Sequence, residues 1–400
     1  NIINKLNSGK LPIYEPGLRE LIKENHKSKR LFFTSNISEA LKKSDIVFIC
    51  VGTPSKKNSS FVDLSYVFKV VKEIKKLSKT KKIIITKSTV PVGTGDQIEK
   101  ILQNKKKFTV ISNPEFLREG EAIRDFRYPD RIIVGSNTKN SFKIMKRLYL
   151  PLINKGANFF TTNRRGAELI KYASNAFLAT KITFINEISN LCEKIGINIE
   201  DISLGMGSDT RIGSRFLRAG PAYGGSCFPK DTKGLISIGD QVKVDLSLVK
   251  SVIKSNEKRK KLPLTKIHKI IGKNVKNKKI VFLGVTFKPN TDDMRDSSSL
   301  LMIPYLHKNG AKIIYYDPTG EKKEFLKLKN CKFFSSINLA CKNADLVILH
   351  TEWDEFKNLD FNKLIKNKKF TLYDLRNLYD FNEMKKKKIK YFSVGRPSLN

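Results

Sequence analysis

The sequence lacks a long apolar run. The stretch Ile46–Val51 is apolar throughout but only six residues long, whereas a membrane-spanning helix needs about 20. The opening residues also lack the apolar core of a secretory signal and the Arg/Ser bias of a transit peptide. The sequence therefore predicts a protein without a membrane partner.

Cysteine is scarce as well. An odd number of cysteines scattered through 400 residues does not form the disulfide framework of a small secreted domain. The sequence thus favours free thiols in a reducing cytoplasm. The five cysteines are Cys50, Cys192, Cys227, Cys331 and Cys341.

Acidic residues are few: 38 Asp and Glu stand against 77 Lys and Arg, which gives a formal net charge of +39. Such a charge would ordinarily suggest a nucleic acid or an anionic membrane as partner. The basic residues are mostly Lys, however, and they are spread over predicted helix faces and loops. We interpret the charge as a solvated, Lys-rich surface and predict no nucleic-acid partner.

Histidine is rare, and its four positions are too far apart in the sequence to indicate one metal site. We therefore predict no metal cofactor. The four are His26, His268, His307 and His350.

The chain does contain an alternation of strand and helix patterns. Short β-branched runs such as Ile46–Val51 and Phe108–Ser112 alternate with amphipathic segments, which is typical of a parallel sheet covered on both faces. A helical pattern occupies Arg165–Ile195, helical signals continue to about Lys261, and the alternation then resumes. We predict the fold class α/β, with two doubly wound, Rossmann-like parallel-sheet domains joined by a helical middle domain with a long central helix. The predicted domains are residues 1–163, 164–261 and 262–400.

The sharpest local motif is Gly224-Gly225-Ser226-Cys227-Phe228-Pro229-Lys230-Asp231. Two glycines allow an unusual backbone conformation or a close approach, and Pro229 is favoured in the first turn of a helix. Cys227 would then lie at a helix N-terminus, where a thiolate is favoured, with Asp231 one turn further on. This pattern suggests covalent catalysis on a carbonyl. A small core cysteine after a glycine turn is an equally good interpretation of the motif alone.

A second motif, Asn113 to Gly120, follows a predicted strand. Asn113 has the chemistry of a helix cap and Pro114 suits a first helical position, which predicts a helix with Glu115 and Glu119 one turn apart. Ligands bind at the carboxyl ends of strands in open α/β sheets. A capped helix with two surface acids is the alternative, and it is the better interpretation of this motif alone.

Three further segments could face a ligand. Lys171 and Asn175 are four apart on one predicted helix face, which small and apolar neighbours would bury. The loops Val51–Pro54 and Lys87–Pro91 each follow a strand and could line a nucleotide site, although ordinary turns have the same composition.

The segment 284–297 reads as a strand, a loop and the approach to a helix. Its two basic residues, Lys288 and Arg295, suit a phosphate or pyrophosphate.

Taken together, these motifs resemble the nucleotide-sugar 6-dehydrogenases of the UDP-glucose/GDP-mannose dehydrogenase family, and among them the members that oxidise UDP-glucose. Motifs in the expected order run from Leu11 to about Asp380, at residues 12–18, 113–120, 211–213, 224–231, 287–298 and 351–353. The resemblance implies NAD-dependent, four-electron oxidation of UDP-glucose at C6 to UDP-glucuronate, through a thiohemiacetal and a thioester of a cysteine. It also implies a homodimer or higher homo-oligomer. It further implies that the first predicted domain binds NAD, that the middle domain forms the dimer, and that the last domain binds the UDP-sugar.

The resemblance assigns roles by matching positions. The catalytic residues would be Cys227, Glu115, Lys171, Asp231, Asn175 and Thr89. The substrate would contact Phe116, Leu117, Arg118, Glu119, Lys171, Asn175, Arg211, Arg218, Ala219, Gly220, Pro221, Ala222, Tyr223, Gly224, Lys288 and Arg376. NAD would contact Val51, Gly52, Thr53, Pro54, Ser55, Ser88, Thr89, Val90, Glu119, Lys230 and Arg295.

The sequence departs from the family pattern at its start. Members begin with a strand and a GxGxxG turn on the NAD pyrophosphate, and neither precedes Asn1. We expect that a further N-terminal segment of about 30 to 50 residues precedes Asn1 in the complete protein. Oxidation of GDP-mannose or another UDP-sugar is an alternative activity. A basic nucleic-acid or membrane-surface binding protein on a dehydrogenase scaffold is an alternative of another class.

Overall fold

The structure is a computed structural model that describes residues 2–55, 61–364, 371–387 and 389–398. The chain divides into two compact units: a first unit of residues 1–176 with 230–246, and a second unit of residues 177–229 with 247–400. Within the described ranges, no helix is long and apolar enough to cross a membrane, and no group of three or more His, Cys, Asp or Glu side chains could hold a metal ion. The domain boundaries at residues 163 and 261 stay predictions.

In the first unit, the described strands form one sheet in the order β1-β2-β3-β4-β5. Neighbouring strands are parallel, except that β3 and β4 meet through one antiparallel pair, Ser112 with Gly135. The Rossmann-like parallel arrangement is thus confirmed, with one antiparallel junction that the sequence did not indicate. The strands are β1 Ile46–Ile49, β2 Lys82–Thr86, β3 Phe108–Ser112, β4 Arg131–Gly135 and β5 Asn158–Thr162.

Each face of this sheet has its own apolar core. Ile84 and Val110 pack with helices on one face, whereas the next residues along the same strands, Ile85 and Ile111, pack with Met145 on the other. Alternate residues of a strand point to opposite faces, so burial on both faces explains why β2 and β3 are almost continuously apolar. The helices before the long one are α1 Ile2–Asn7, α2 Leu18–Lys27, α3 Ile37–Lys42, α4 Ser65–Leu77, α5 Thr94–Leu102, α6 Ala122–Arg127, α7 Lys139–Leu148 and α8 Leu150–Ile153.

The middle of the chain is helical, as the sequence indicates. The predicted long helix is confirmed as α9, Arg164–Ile195, and is followed by α10 Ile199–Gly207, α11 Phe228–Gln241 and α12 Ser247–Ile271. Helical signals end near Lys261 in the sequence because Pro263 normally breaks a helix. In α12 the helix continues past this proline, and Pro263, Leu264 and Ile267 are all buried. Packing of this face therefore outweighs the lost backbone hydrogen bond.

In the second unit, the described strands form an all-parallel sheet in the order β11-β10-β9-β6-β7-β8. This is the strand order of a doubly wound dinucleotide-binding fold, whose ligand site lies where the order reverses, here between β6 and β9. The strands are β6 Lys279–Leu283, β7 Lys312–Tyr316, β8 Cys331–Phe333, β9 Leu346–Leu349, β10 Thr371–Asp374 and β11 Lys390–Ser393. The helices are α13 Ser299–Lys308, α14 Ile337–Cys341, α15 Phe361–Leu364 and α16 Phe381–Lys386.

The prediction of a helix that begins at Pro114 is wrong. Residues 113–118 are irregular, and the next helix, α6, begins only at Ala122. Asn113 does not cap a helix, because its buried side chain donates to the Ile133 carbonyl at 2.7 Å and accepts from the Tyr149 hydroxyl at 2.6 Å. Glu115 and Glu119 therefore do not lie one turn apart on a helix.

The carboxylate of Glu15 serves the start of α6 instead. It accepts hydrogen bonds from the backbone N–H groups of Gly120 at 2.7 Å and Ala122 at 2.8 Å. An acidic side chain at this place satisfies donors that a helix start leaves free. The motif at residues 12–18 thus closes the loop that contains Glu115.

The two glycines before α11 are required for different reasons. A Cβ on Gly224 would lie 2.5 Å from the backbone oxygen of Asp296, so this position needs a close approach. Gly225 has a φ of +81° and would also meet the ring of Phe287. Both uses of glycine that the sequence suggested, unusual conformation and close approach, are confirmed here.

Gly224→Ala should therefore destabilise the protein by about 1–3 kcal/mol, because the new methyl group meets a backbone atom that cannot rotate away. Gly205→Ala is the matched control, since that helical glycine of α10 has open space and an ordinary φ. The control should be neutral or stabilising by about 0.5–1 kcal/mol. Urea unfolding of both variants measures the difference, and equal free energies of unfolding would contradict the steric argument.

Lys87 is a half-buried lysine that directly follows β2. Its Nζ donates to Asn113 Oδ1 at 3.2 Å and to the Tyr149 hydroxyl at 3.3 Å, and it lies over the Tyr149 ring. Burial lowers the pKa of Lys87 to about 8, and the negative charge of Glu115 opposes this shift. The surroundings of Lys87 thus disfavour the protonated, charged form of its amine.

Lys87 should make stability rise with pH. The unfolded chain keeps this amine protonated up to about pH 10.5, whereas the folded protein releases the proton near pH 8. Between these values the unfolded state binds more protons, so wild type gains up to about 3 kcal/mol of stability from this group. The advantage of Lys87→Met over wild type should therefore shrink as pH rises through this window.

Urea unfolding at pH 7, 8, 9 and 10 measures this effect. Lys69→Met, which removes an exposed lysine of α4, is the control and should follow wild type at every pH. A constant difference between Lys87→Met and wild type would contradict the burial argument.

Candidate active site

In the first unit, the loops after β1 and β2 are tied together at the carboxyl edge of the sheet. The Thr53 hydroxyl donates to the Thr89 carbonyl at 2.8 Å, and the Ser88 hydroxyl donates to the Val51 carbonyl at 2.7 Å. The structure thus brings together the two segments predicted to contact NAD. Gly52, between them, has open space where a side chain would be. A narrow, hydroxyl-bearing edge of this kind fits a nucleotide.

The loop after β3 contains Glu115, which pairs with a lysine of α9. Lys171 is only 3% exposed, and its Nζ lies 3.3 Å from Glu115 Oε1. The Lys171 ammonium also lies 5.1 Å from the centre of the Phe116 ring. The structure therefore joins three residues that the sequence placed in two separate motifs, and it buries the lysine as predicted. A buried amine beside a carboxylate can stabilise an oxyanion or exchange a proton.

One turn further along α9, Asn175 pairs with the start of α11. Its amide donates to Asp231 Oδ2 at 2.6 Å, while Lys230 Nζ donates to Asp231 Oδ1 at 2.7 Å. Asp231 is 1% exposed. A carboxylate held by an amide and an ammonium in this way remains fixed in position.

Glu168 belongs to the same region, and sequence reasoning missed it. Its carboxylate accepts hydrogen bonds from the backbone N–H groups of Gly93 at 2.7 Å and Gly95 at 2.9 Å, and from the Ser112 hydroxyl at 2.9 Å. The only signal in the sequence was its spacing of three residues from Lys171 on one helix. A small cavity next to it is lined by Thr86, Ser88, Thr89, Val90, Ser112, Pro114, Glu168 and Lys171.

In the second unit, Cys227 directly precedes Phe228, the first residue of α11, so its predicted place at a helix N-terminus is confirmed. It is half-buried and forms no disulfide in the described part of the chain. The Ser226 hydroxyl lies 3.6 Å from its sulfur. The dipole of a 14-residue helix favours a thiolate at this end.

The segment 218–224, predicted to contact substrate, is held by side chains of α9 and α12. Asn256 bonds both the N–H and the carbonyl of Tyr223, at 3.0 and 3.1 Å. Asn186 accepts from the Gly220 N–H at 2.8 Å, and the buried Arg259 donates to the Gly220 carbonyl at 2.8 Å. Sequence reasoning missed all three residues. Arginine is much rarer than lysine in this chain, and that rarity is a sequence signal that could have pointed to Arg259.

Arg376 lies in the loop after β10 and joins the loops that follow β6 and β9. Its guanidinium donates to the Phe287 carbonyl at 2.7 Å and to the His350 carbonyl at 2.8 Å, and it pairs with Glu352 at 2.9 Å. Lys288 is next to Phe287 in the chain. Two of the predicted substrate residues therefore lie where the strand order reverses.

His350, at the end of β9, is fully buried. Burial lowers its pKa to about 3, with a smaller contribution from the charge of Arg376. Its ring bonds the Ser298 hydroxyl at 2.8 Å. It is thus a neutral structural link at this edge of the second sheet.

Three predicted arginines are engaged by neighbouring acids within their own units. Arg211 pairs with Asp209 at 2.6 Å, Arg295 pairs with Asp293 at 2.7 Å, and Arg118 pairs with Asp125 at 2.6 Å. The Gly225 N–H also donates to the Arg295 carbonyl at 2.8 Å, so the glycine turn and the Arg295 loop are in contact. The roles of these arginines stay predictions.

The chain matches three models of one family. Residues 1–153 match the NAD-binding domain of the UDP-glucose/GDP-mannose dehydrogenase family, residues 165–258 match its central domain, and residues 281–381 match its UDP-binding domain.

Individual relatives extend over nearly the whole chain. It is 45% identical to a UDP-glucose 6-dehydrogenase of Rhizobium meliloti (strain 1021), across 99% of this chain and 92% of that protein. It is 40% identical to UDP-glucose 6-dehydrogenase TuaD of Bacillus subtilis (strain 168), across 99% and 86%.

A solved UDP-glucose dehydrogenase from Pyrobaculum islandicum superposes with a TM-score of 0.89 at 31% identity, covering 99% of this chain and 90% of that one. Sequence, domain models and fold thus agree. The chain belongs to the UDP-glucose/GDP-mannose dehydrogenase family, and it is an NAD-dependent dehydrogenase.

Proposed function

We propose that the protein oxidises the C6 alcohol of UDP-glucose to the carboxylate of UDP-glucuronate. One alcohol, one water and two NAD⁺ would give one carboxylate, two NADH and three protons. Relatives at 40–45% identity named for oxidation of UDP-glucose support this choice of sugar nucleotide. The Tyr223 and SCFPKD sequence around Cys227 resembles the members that oxidise UDP-glucose more than those that oxidise UDP-N-acetylmannosamine.

The observation that carries the proposal is the buried polar face of α9. Lys171 and Asn175 lie one turn apart, and each contacts a carboxylate, Glu115 and Asp231 respectively. Burying these groups costs free energy that an unused helix face would avoid. An arrangement of amine, amide and two carboxylates can hold a water molecule, take up a proton and stabilise an oxyanion.

The cofactor is NAD, and the first unit fits it at the edge formed by Val51–Ser55 and Ser88–Val90. The two loops are hydrogen-bonded to each other and leave space beside Gly52. Lys230, Arg295 and Glu119 would contact the cofactor in addition. When bound, NAD accepts a hydride from C6 in each of the two oxidations.

In the first oxidation, the C6 hydroxyl loses its proton as the hydride leaves. Lys171, Asn175 and Asp231 would hold the water that takes this proton, and the Thr89 hydroxyl would help to orient it. The ammonium of Lys171 would stabilise the oxygen as negative charge develops on it. The aldehyde formed at C6 remains bound.

In the second oxidation, the Cys227 thiolate attacks the aldehyde carbon and forms a thiohemiacetal. Loss of the second hydride leaves a thioester to the same sulfur. Glu115 would take a proton from the water that adds to the thioester. The carbon–sulfur bond then breaks, which releases the carboxylate and restores the thiolate.

The UDP part would bind at the edge of the second sheet. Lys288 belongs to the loop after β6, where the strand order reverses, and the Arg376 side chain reaches that loop from the loop after β10. Both carry the positive charge that a diphosphate needs. The segment 218–224 would contact the sugar and the nucleotide, and its held backbone favours a fixed geometry. Phe116–Glu119 and Arg211 complete the proposed set.

Replacement of the nucleophile should separate the two oxidations. The full-length wild type should form two NADH for each UDP-glucose consumed, because the thioester step requires a second hydride transfer. Cys227→Ser should be blocked at the second oxidation, because serine does not provide a thiolate. Absorbance at 340 nm against consumed UDP-glucose measures this ratio.

Cys331→Ser is the matched control, since it removes another half-buried free thiol of the second unit. It should keep the ratio of two. A ratio of two in Cys227→Ser would overturn the covalent mechanism. Faster turnover of GDP-mannose than of UDP-glucose by wild type would replace the substrate instead.

We also propose a homodimer formed through α9 and a cytoplasmic location. Four large apolar side chains of α9 are exposed at spacings of seven or four residues, which places them along one stripe of the helix. They are Phe177 at 66%, Phe184 at 46%, Leu191 at 54% and Ile195 at 57%. A second copy of this chain would cover them. The five cysteines form no disulfide among the described residues, which fits a reducing compartment.

Charge on this stripe should prevent association. The double variant Phe177→Glu/Phe184→Glu should elute as a monomer in light-scattering chromatography, whereas wild type should have twice its mass, because a buried unpaired carboxylate is costly. Leu326→Glu, at another exposed leucine of the second unit, is the control and should remain a dimer. A monomeric wild type, or a dimeric double variant, would contradict the proposal.

A further inference from the structure

Glu168 is a buried carboxylate surrounded by donors from two different segments. Gly93 and Gly95 lie at the start of α5, directly after the loop that contains Thr89. Ser112 is the last residue of β3, directly before the loop that contains Glu115. Glu168 itself lies on α9, one turn before Lys171. One side chain on the helix that contains Lys171 thus bonds the residues that follow the Thr89 loop and the residue that precedes the Glu115 loop.

The three hydrogen bonds suit an ionised carboxylate. Both oxygens accept: Oε2 from Gly93, and Oε1 from Gly95 and Ser112. A proton on Oε2 would face the Gly93 N–H group, whereas a proton on Oε1 could be donated only to the Ser112 hydroxyl. Burial raises the pKa of Glu168, and these three donors oppose that shift.

We propose that Glu168 is a positioning residue, whose carboxylate fixes the Thr89 loop and the start of the Glu115 loop against the α9 face that carries Lys171. This inference rests on the proposed function, because Thr89, Glu115 and Lys171 act on C6 in it. Glu168 would not touch substrate or cofactor. It would set the distances among groups that do, and a displacement of about 1 Å among such groups can cost about 100-fold in rate.

Two substitutions alter this contact in graded steps. Glu168→Gln keeps the size of the side chain but has one oxygen, so its amide N–H group would face a backbone N–H group. Glu168→Asp keeps both oxygens and the charge but is one methylene shorter. The expected order of kcat is therefore wild type, then Glu168→Asp, then Glu168→Gln.

Arg164 offers a matched structural control on the same helix face. It lies one turn before Glu168, is 4% exposed at its side chain, and pairs with Asp96 at 2.8 Å and Glu99 at 3.0 Å, both on α5. It thus joins α9 to α5 as Glu168 does. Unlike those of Glu168, its contacts in the described part of the chain do not include Gly93 or Ser112, the residues next to the Thr89 and Glu115 loops.

Steady-state kinetics and melting temperature of the full-length protein test the proposal, with UDP-glucose and NAD as substrates. Glu168→Gln should lower kcat by about tenfold or more, with KM for UDP-glucose within about threefold of wild type. Glu168→Asp should recover part of this loss. Arg164→Gln should lower the melting temperature at least as much, while its kcat stays within about twofold of wild type.

Loss of kcat in proportion to melting temperature across all three variants would overturn the proposal, since a merely structural role predicts that result. An unchanged kcat in Glu168→Gln, or a loss confined to KM, would overturn it as well. Failure of the proposed function looks different: wild type would then form no NADH from UDP-glucose. If Glu168→Gln does not fold, Glu168→Asp against Arg164→Gln gives the same comparison.

Discussion

The burial of charge along one face of α9 is the constraint on which the first unit depends. Arg164, Glu168 and Lys171 are each 3% exposed and Asn175 is 6% exposed. Their spacings of four, three and four residues place them on one side of the helix. A charge left buried without a partner costs several kcal/mol, so each of these side chains requires a contact. The helix α5, the loops after β2 and β3, and the start of α11 supply those contacts.

In the second unit, the polar groups that need partners belong to the backbone of a loop rather than to the side chains of a helix. The segment 218–224 has no regular structure, so its backbone cannot satisfy its own donors and acceptors. Asn186, Asn256 and Arg259 project from helices and bond it at Gly220 and Tyr223. In both units, then, regular helices provide polar side chains that hold irregular loops in one conformation. Loops of this kind can serve as binding surfaces without rearranging for each ligand.

Long periodic elements were predictable from the sequence, whereas contacts between distant residues were not. The helix predicted at Arg165–Ile195 is observed as Arg164–Ile195, because apolar periodicity over 32 residues is a strong signal. The helix expected at Pro114 does not form. The sequence shows that Asn113 can make side-chain hydrogen bonds, but not that its partner is the Ile133 carbonyl, 20 residues away, rather than the N–H groups of a helix start. For the same reason Lys171 and Glu115 were predicted as separate candidates, although the two side chains lie 3.3 Å apart. The three donors of Glu168 come from positions 56 to 75 residues earlier, which no local pattern could reveal.

The burial of Lys171 also separates the chemistry of the site from the charge of the surface. The net charge of +39 lies mostly on solvated side chains, where dissolved ions screen interactions beyond about 8 Å at physiological ionic strength. The ammonium of Lys171 is shielded from those ions by the protein around it. Its attraction to Glu115 consequently persists in concentrated electrolyte. The number of lysines on the exterior can therefore change without altering this attraction.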